Sequence, residues 1–127
     1  MCAVVCGVFV VAGCNGGTVD RHALKNDSSM LDSIACEGAL LAHEVAGGRS
    51  TAYFAREQAE ELRIQSSNFA DALSRRKTIP AITGKVRQKA KHAATLAATL
   101  QQLHDHPSSR SVAASVERKL KKLGHCS

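Results

Sequence analysis

Residues Thr51 to Lys77 read T-A-Y-F-A-R-E-Q-A-E-E-L-R-I-Q-S-S-N-F-A-D-A-L-S-R-R-K. Ala55, Ala59, Leu62, Ser66, Phe69 and Leu73 recur at intervals of three and four. That spacing gathers side chains on one face of a helix with 3.6 residues per turn. Arg75, Arg76 and Lys77 close the segment, where cations complement the negative end of the helix dipole. Ile64 falls off the apolar face, and nothing in the pattern explains it.

The pattern repeats on either side. Before it, Gly47-Gly48 breaks a run carrying Leu31, Ile34, Gly38, Leu41 and Val45 at the same spacing, with Asp27 or Ser28 placed to cap its start. Cys36, Leu40 and His43 lie off that stripe. After it, Pro80 suits the first turn of a helix, where its missing amide hydrogen is not needed. Ile82, Val86, Ala90, Ala93, Ala97 and Leu100 follow, to about His104. Pro107 ends this third segment, and Ser108 or Ser109 can cap a fourth. The fourth presents Val112, Val116, Leu120 and Leu123 and stops at Gly124. Four amphipathic helices with short connections predict an all-α fold, an antiparallel up-down bundle with a long central hairpin. The second and third helices are expected to outreach the others, at nearly 40 Å each for about 1.5 Å per residue. A length of 127 residues suits one such domain. Aromatic residues make up 3% of the chain, with no Trp. That argues against a β-sandwich and against modules that stack bases on aromatic rings.

The N-terminus differs in kind. Ala3 to Gly13 is apolar and uncharged, too short to span about 30 Å of hydrocarbon and the right length for the apolar part of an export signal. It runs into Val11-Ala12-Gly13-Cys14, then Asn15-Gly16-Gly17. The tetrapeptide resembles the lipobox of bacterial lipoproteins: an aliphatic residue, two small residues that let extended backbone enter a peptidase, then cysteine. The resemblance implies that residues 1–13 are a signal peptide and that the Cys14 thiol carries a diacylglycerol thioether. It also implies a protein lipid-anchored at the cell membrane on its extracytoplasmic side. Residues 14–28, rich in Gly, Asn, Asp and Ser, read as a flexible tether. Residues 29–127 read as the helical domain.

With Cys2 and Cys6 in the signal and Cys14 in the anchor, two of the five cysteines remain. In an oxidising compartment Cys36 and Cys126 form one pair. An up-down bundle returns the end of its fourth helix beside its first, so the topology independently supports a Cys36–Cys126 disulfide.

The net charge of +6 is unevenly spread. Five basic and nine acidic residues precede Arg75, whereas twelve basic and two acidic residues run from Arg75 to the end. The basic clusters are Arg75, Arg76 and Lys77; Lys85, Arg87, Lys89 and Lys91; and Arg118, Lys119, Lys121 and Lys122. Such a half attracts a polyanion. On a lipid-tethered domain outside the cell, that polyanion is anionic lipid or an acidic wall polymer. The function expected is a non-catalytic binding or interaction module. One alternative is a cytosolic helical protein that uses the same residues on nucleic acid. Another is a secreted helical binder of a haem-like ligand, with His43 or Tyr53 as ligands. His104-Asp105-His106 does not read as a metal site, because helical residues two apart point about 200° from each other. His43 and Glu44 are adjacent and face different ways. No nucleophile motif, phosphate loop or paired-cysteine motif is present, so no enzyme, metal or cofactor is expected.

Overall fold

Asp20 starts the first helix. Its carboxylate accepts a hydrogen bond from the Ala23 amide at 2.8 Å, and α1 runs Arg21–Ala46. This corrects the expected boundary. The cap is Asp20 rather than Asp27 or Ser28, and much of the stretch read as tether is helix. The cause is thin patterning: Leu24, one heptad before Leu31, is the single large aliphatic side chain between Asp20 and Ser29. The remaining helices are α2 (Ala52–Arg75), α3 (Thr83–Asp105) and α4 (Arg110–Gly124). A short 3-10 turn, Pro80–Ile82, leads into α3. The Thr51 hydroxyl caps α2 by accepting from the Phe54 amide, and the Ser109 hydroxyl caps α4 by accepting from Val112. At 26 residues α1 is the longest helix, ahead of α2 and α3 at 24 and 23, which reverses the expected order.

The computed structural model describes residues 18–127, so the lipobox-like segment and Cys14 lie outside the described residues. Within them the fold is an all-α bundle in which α2 packs along α3 and α4 along α1. With 15 residues, α4 covers only part of α1. The main core contains Leu31, Leu62, Leu96, Leu100, Leu103, Val116 and Leu120 and draws on all four helices. A second core contains Val19, Leu24, Leu73, Ile82, Val86 and Ala90 and involves no residue of α4. Val19 seals that end. Its amide donates to the Lys77 carbonyl at 2.8 Å, and the Ile79 amide donates back to the Val19 carbonyl at 3.5 Å. The chain therefore enters the bundle beside the α2–α3 connection. This place is called the entry end below.

The stripes expected on α1 and α2 are buried, except that Phe69 is only half-buried. On α3 the expected Ala97 is half-buried, while Leu96, Thr99 and Leu103 are buried instead. Gly38 marks a close approach of all four helices. A methyl group there would come within 2.8 Å of Leu100, 3.0 Å of Leu120 and 3.8 Å of Leu62, so glycine lets side chains from the other three helices converge on α1. Cys36 and Cys126 form a disulfide with Cα atoms 5.5 Å apart, tying the residues just after α4 to the middle of α1. The residue that ends α4 in a left-handed conformation is His125 (φ 52°), not Gly124. Gly124 serves close packing instead, because a Cβ there would lie 2.7 Å from that of Ala35. Among the described residues, no helix is long and apolar enough to cross a membrane.

Candidate anion-binding grooves

The expected basic residues divide over the surface according to helix phase. Lys85 and Lys89 are one helical turn apart on α3 and face the N-terminal half of α1. There they line a groove of about 400 Å³ with Arg21, Lys25, Ser28 and Gln88. Leu24 and Ile82 form its apolar part, and both belong to the second core. No carboxylate lines this groove. Among the described residues, none of Arg21, Lys25, Lys85 and Lys89 has a carboxylate within 4.0 Å. Four like charges therefore converge without an internal counterion, which raises the local potential toward anions. Arg21 and Lys25 were not among the residues expected here. The signal available was the four-residue spacing between them, which is legible only once Asp20 is taken as the cap.

The other clusters go elsewhere. Arg87 lines a cleft between α2 and α3 together with Arg76, Thr78 and Thr83. Arg75, Arg76, Lys77 and Lys91 are exposed. Arg76 reaches back to α1, where its guanidinium lies 3.9 Å from Asp27. Lys121 is neutralised, donating to Glu117 at 2.7 Å, and Glu117 also contacts the His43 ring at 3.2 Å. Lys119 donates to the Gln102 side-chain carbonyl at 3.2 Å rather than to a carboxylate. Together with Lys122 it lines a groove against α3 with His92, Thr95, Thr99, Leu123 and His125. Arg118 is exposed and lines none of these grooves.

Two further sequence candidates resolve into local pairs. His43 meets Glu117 across helices, while its neighbour Glu44 is held by Arg49 at 2.8 and 3.1 Å. His104 contacts Asp105 at 3.0 Å and lies 4.0 Å from Glu60, which is itself held by Arg63. Among the described residues, no three His, Cys, Asp or Glu side chains gather as a metal site would need.

Asp27 lies at the α1–α2 seam beside Met30, Phe69 and Leu73. Its Oδ2 is buried without a hydrogen-bond donor. Burial raises its pKa above the ordinary carboxylate value, and the attraction of Arg76 only partly offsets this. An acid whose pKa is higher folded than unfolded stabilises the fold when protonated. That contribution is full below the unfolded value and is lost as pH rises through the folded value. At neutral pH the ionised carboxylate is a liability. Asp27→Asn is therefore expected to raise the melting temperature at pH 7. The gain should shrink toward pH 3, as scanning calorimetry across that range would show.

Comparison with family models, curated proteins and solved structures finds no match for this chain.

Proposed function

We propose that this chain is a small bacterial envelope lipoprotein, anchored through lipidated Cys14, that acts as a non-catalytic binding module. Its basic entry end engages the anionic head groups of the membrane that holds it. The observation that carries this reading is the α1–α3 groove. Arg21, Lys25, Lys85 and Lys89 converge there without a carboxylate partner, close to the point where the chain enters from Cys14. Four residues separate Cys14 from Val19, and the five Cα-to-Cα steps span at most about 18 Å when fully extended. A diacyl anchor on Cys14 would keep these cations close to a head-group layer. Two acyl chains anchor stably, and each basic residue near an anionic surface adds about 1 kcal/mol. Arg87, in the neighbouring cleft, increases the positive charge of the same end.

The test has two arms. In cells, Cys14→Ala should move the protein out of the membrane fraction; a protein that stays there equally has no lipid anchor at Cys14. In vitro, unacylated Cys14→Ser protein should cosediment with anionic vesicles at low salt and not with neutral ones. High salt should release it, because screening shortens the reach of surface charges to about 3 Å at 1 M. Replacing Arg21, Lys25, Lys85 and Lys89 together with Gln should remove most of this binding. Equal binding to neutral and anionic vesicles would sink the head-group reading.

A further inference from the structure

We propose that the groove between α3 and the C-terminal turn is a separate anion-binding site that takes a phosphate group. This site does not rest on the lipid-anchor reading, because none of its residues belongs to the entry-end groove. Lys119 and Lys122 come from α4, His92 from α3, and His125 from the residue that follows α4. The groove has a volume of about 470 Å³ and no carboxylate among its lining residues. Among the described residues, neither lysine has a carboxylate within 4.0 Å, in contrast to Lys121, which lies between them in sequence and pairs with Glu117.

The charges facing His92 come from every side. Lys89 precedes it on α3, His125 faces it from the C-terminal turn, and Asp32 reaches it from α1 as the one acid. Lys119 and Lys122 line the same groove from α4. The Nε2 atom of His92 is buried and has no hydrogen-bond partner. Burial first, and then the positive charge of Lys89, lowers the His92 pKa below the ordinary histidine value, which Asp32 and a hydrogen bond to the Leu123 backbone only partly offset. A bound dianion would oppose both effects by supplying a counter-charge. The Thr95 and Thr99 hydroxyls already donate to the carbonyls of Lys91 and Thr95, at 3.0 and 2.9 Å. Recognition therefore falls to the cations. A phosphate group fits because it concentrates nearly two charges and several acceptor oxygens in one small group.

The disulfide has a part in this geometry. Cys126 is bonded to Cys36 of α1 and fixes the turn that carries His125. The Cys126 amide also donates to the Lys121 carbonyl at 3.1 Å, which fixes the backbone that presents His125 at the groove wall. The turn is thus preorganised by a covalent bond to the middle of α1.

Inorganic pyrophosphate, titrated into the full chain at low ionic strength and followed by NMR of the histidine rings, tests the proposal. The expected result is saturable shifts at His92 and His125. Lys119→Gln with Lys122→Gln should weaken binding by about tenfold, equivalent to about 1.4 kcal/mol. Both side chains are exposed, and an unchanged circular dichroism spectrum would confirm the fold. Arg21→Gln with Lys25→Gln should leave these shifts intact. Vesicles carrying a phosphomonoester lipid form a parallel arm. If they perturb the same two rings, the phosphate can also be presented as a head group. The proposal is overturned if neither probe shifts His92 and His125. It is equally overturned if the Lys119/Lys122 variant binds as tightly as the parent, or if the response is lost with Arg21 and Lys25 instead.

Discussion

Replacing Cys36 and Cys126 together with alanine is expected to destabilise the folded domain by about 2–4 kcal/mol. The bond closes a loop of 90 residues, most of the helical domain, so its loss releases a large constraint on the unfolded chain. Chain-entropy reasoning gives roughly 4–5 kcal/mol for such a loop, and measured values are often smaller. At about 4–8 °C per kcal/mol for a domain near 100 residues, the melting temperature should fall by at least about 10 °C. Both variant side chains remain apolar and small, so the change reports the covalent link more than a packing defect. Thermal unfolding of the parent with and without reductant should reproduce the difference. Unchanged melting in both experiments would mean that the ends are held by packing alone. A core rich in alanine makes that outcome hard to expect: Ala35, Ala39, Ala42, Ala55, Ala59, Ala93 and Ala113 are all buried in the main cluster and contribute little apolar area each.

The bundle was legible wherever large aliphatic residues recur at three and four, and illegible where they thin out. Leu31 to Val45 and Ala55 to Leu73 each identify a helix and its buried face, and both faces are buried as read except at half-buried Phe69. Ile64 violates the α2 pattern and is 40% exposed, so the mismatch reported a surface position. The start of α1 is different. Its first turns carry Arg21, His22, Lys25, Asn26 and Asp27, a composition shared with linkers, and Val19 and Leu24 acquire meaning only through Leu73, Ile82 and Val86, far away in sequence. That tertiary burial, across about fifty residues or more of sequence, overrides weak local patterning, and it also hid half of the entry-end groove. Read in sequence, Arg21 and Lys25 belong to the acidic half of the chain, whereas in space they face Lys85 and Lys89. The reverse holds for Lys121, a member of a basic run in sequence and the partner of Glu117 in space. Charge blocks along a helical chain thus state how much charge there is. Helix phase decides where it accumulates.

The two buried glycines of the core should respond to substitution very differently, although both sit where helices touch. At Gly38 the atoms that a new Cβ would meet most closely are methyl carbons of Leu100 and Leu120, at 2.8 and 3.0 Å. Leucine tips can rotate or shift by a few tenths of an ångström. Alanine in a helix interior also gains about 0.8–1.0 kcal/mol over glycine. Overpacking costs of about 1–3 kcal/mol therefore act against a real gain, and Gly38→Ala should change stability by less than about 1.5 kcal/mol. At Gly124 the neighbours are the Cβ of Ala35 at 2.7 Å, the backbone carbonyl of Asp32 at 3.0 Å and the Cys126 sulfur at 3.0 Å. None of these is the free end of a flexible side chain. The sulfur is fixed by its bond to Cys36, and the other two atoms belong to α1 itself. Relief therefore requires the end of α4 to move away from α1, which opens contacts along that seam. Gly124→Ala is expected to cost about 2 kcal/mol and Gly124→Val about 3 kcal/mol or more. Chemical denaturation should show lower midpoints with similar slopes, since the exposed area of the unfolded chain barely changes. The Gly124 variants should also be less destabilised relative to their own background once the disulfide is removed, because the sulfur contact is then free to relax. Equal costs at Gly38 and Gly124, or a full additive penalty without the disulfide, would refute the assignment of Gly124 as the point where α4 is pressed onto α1.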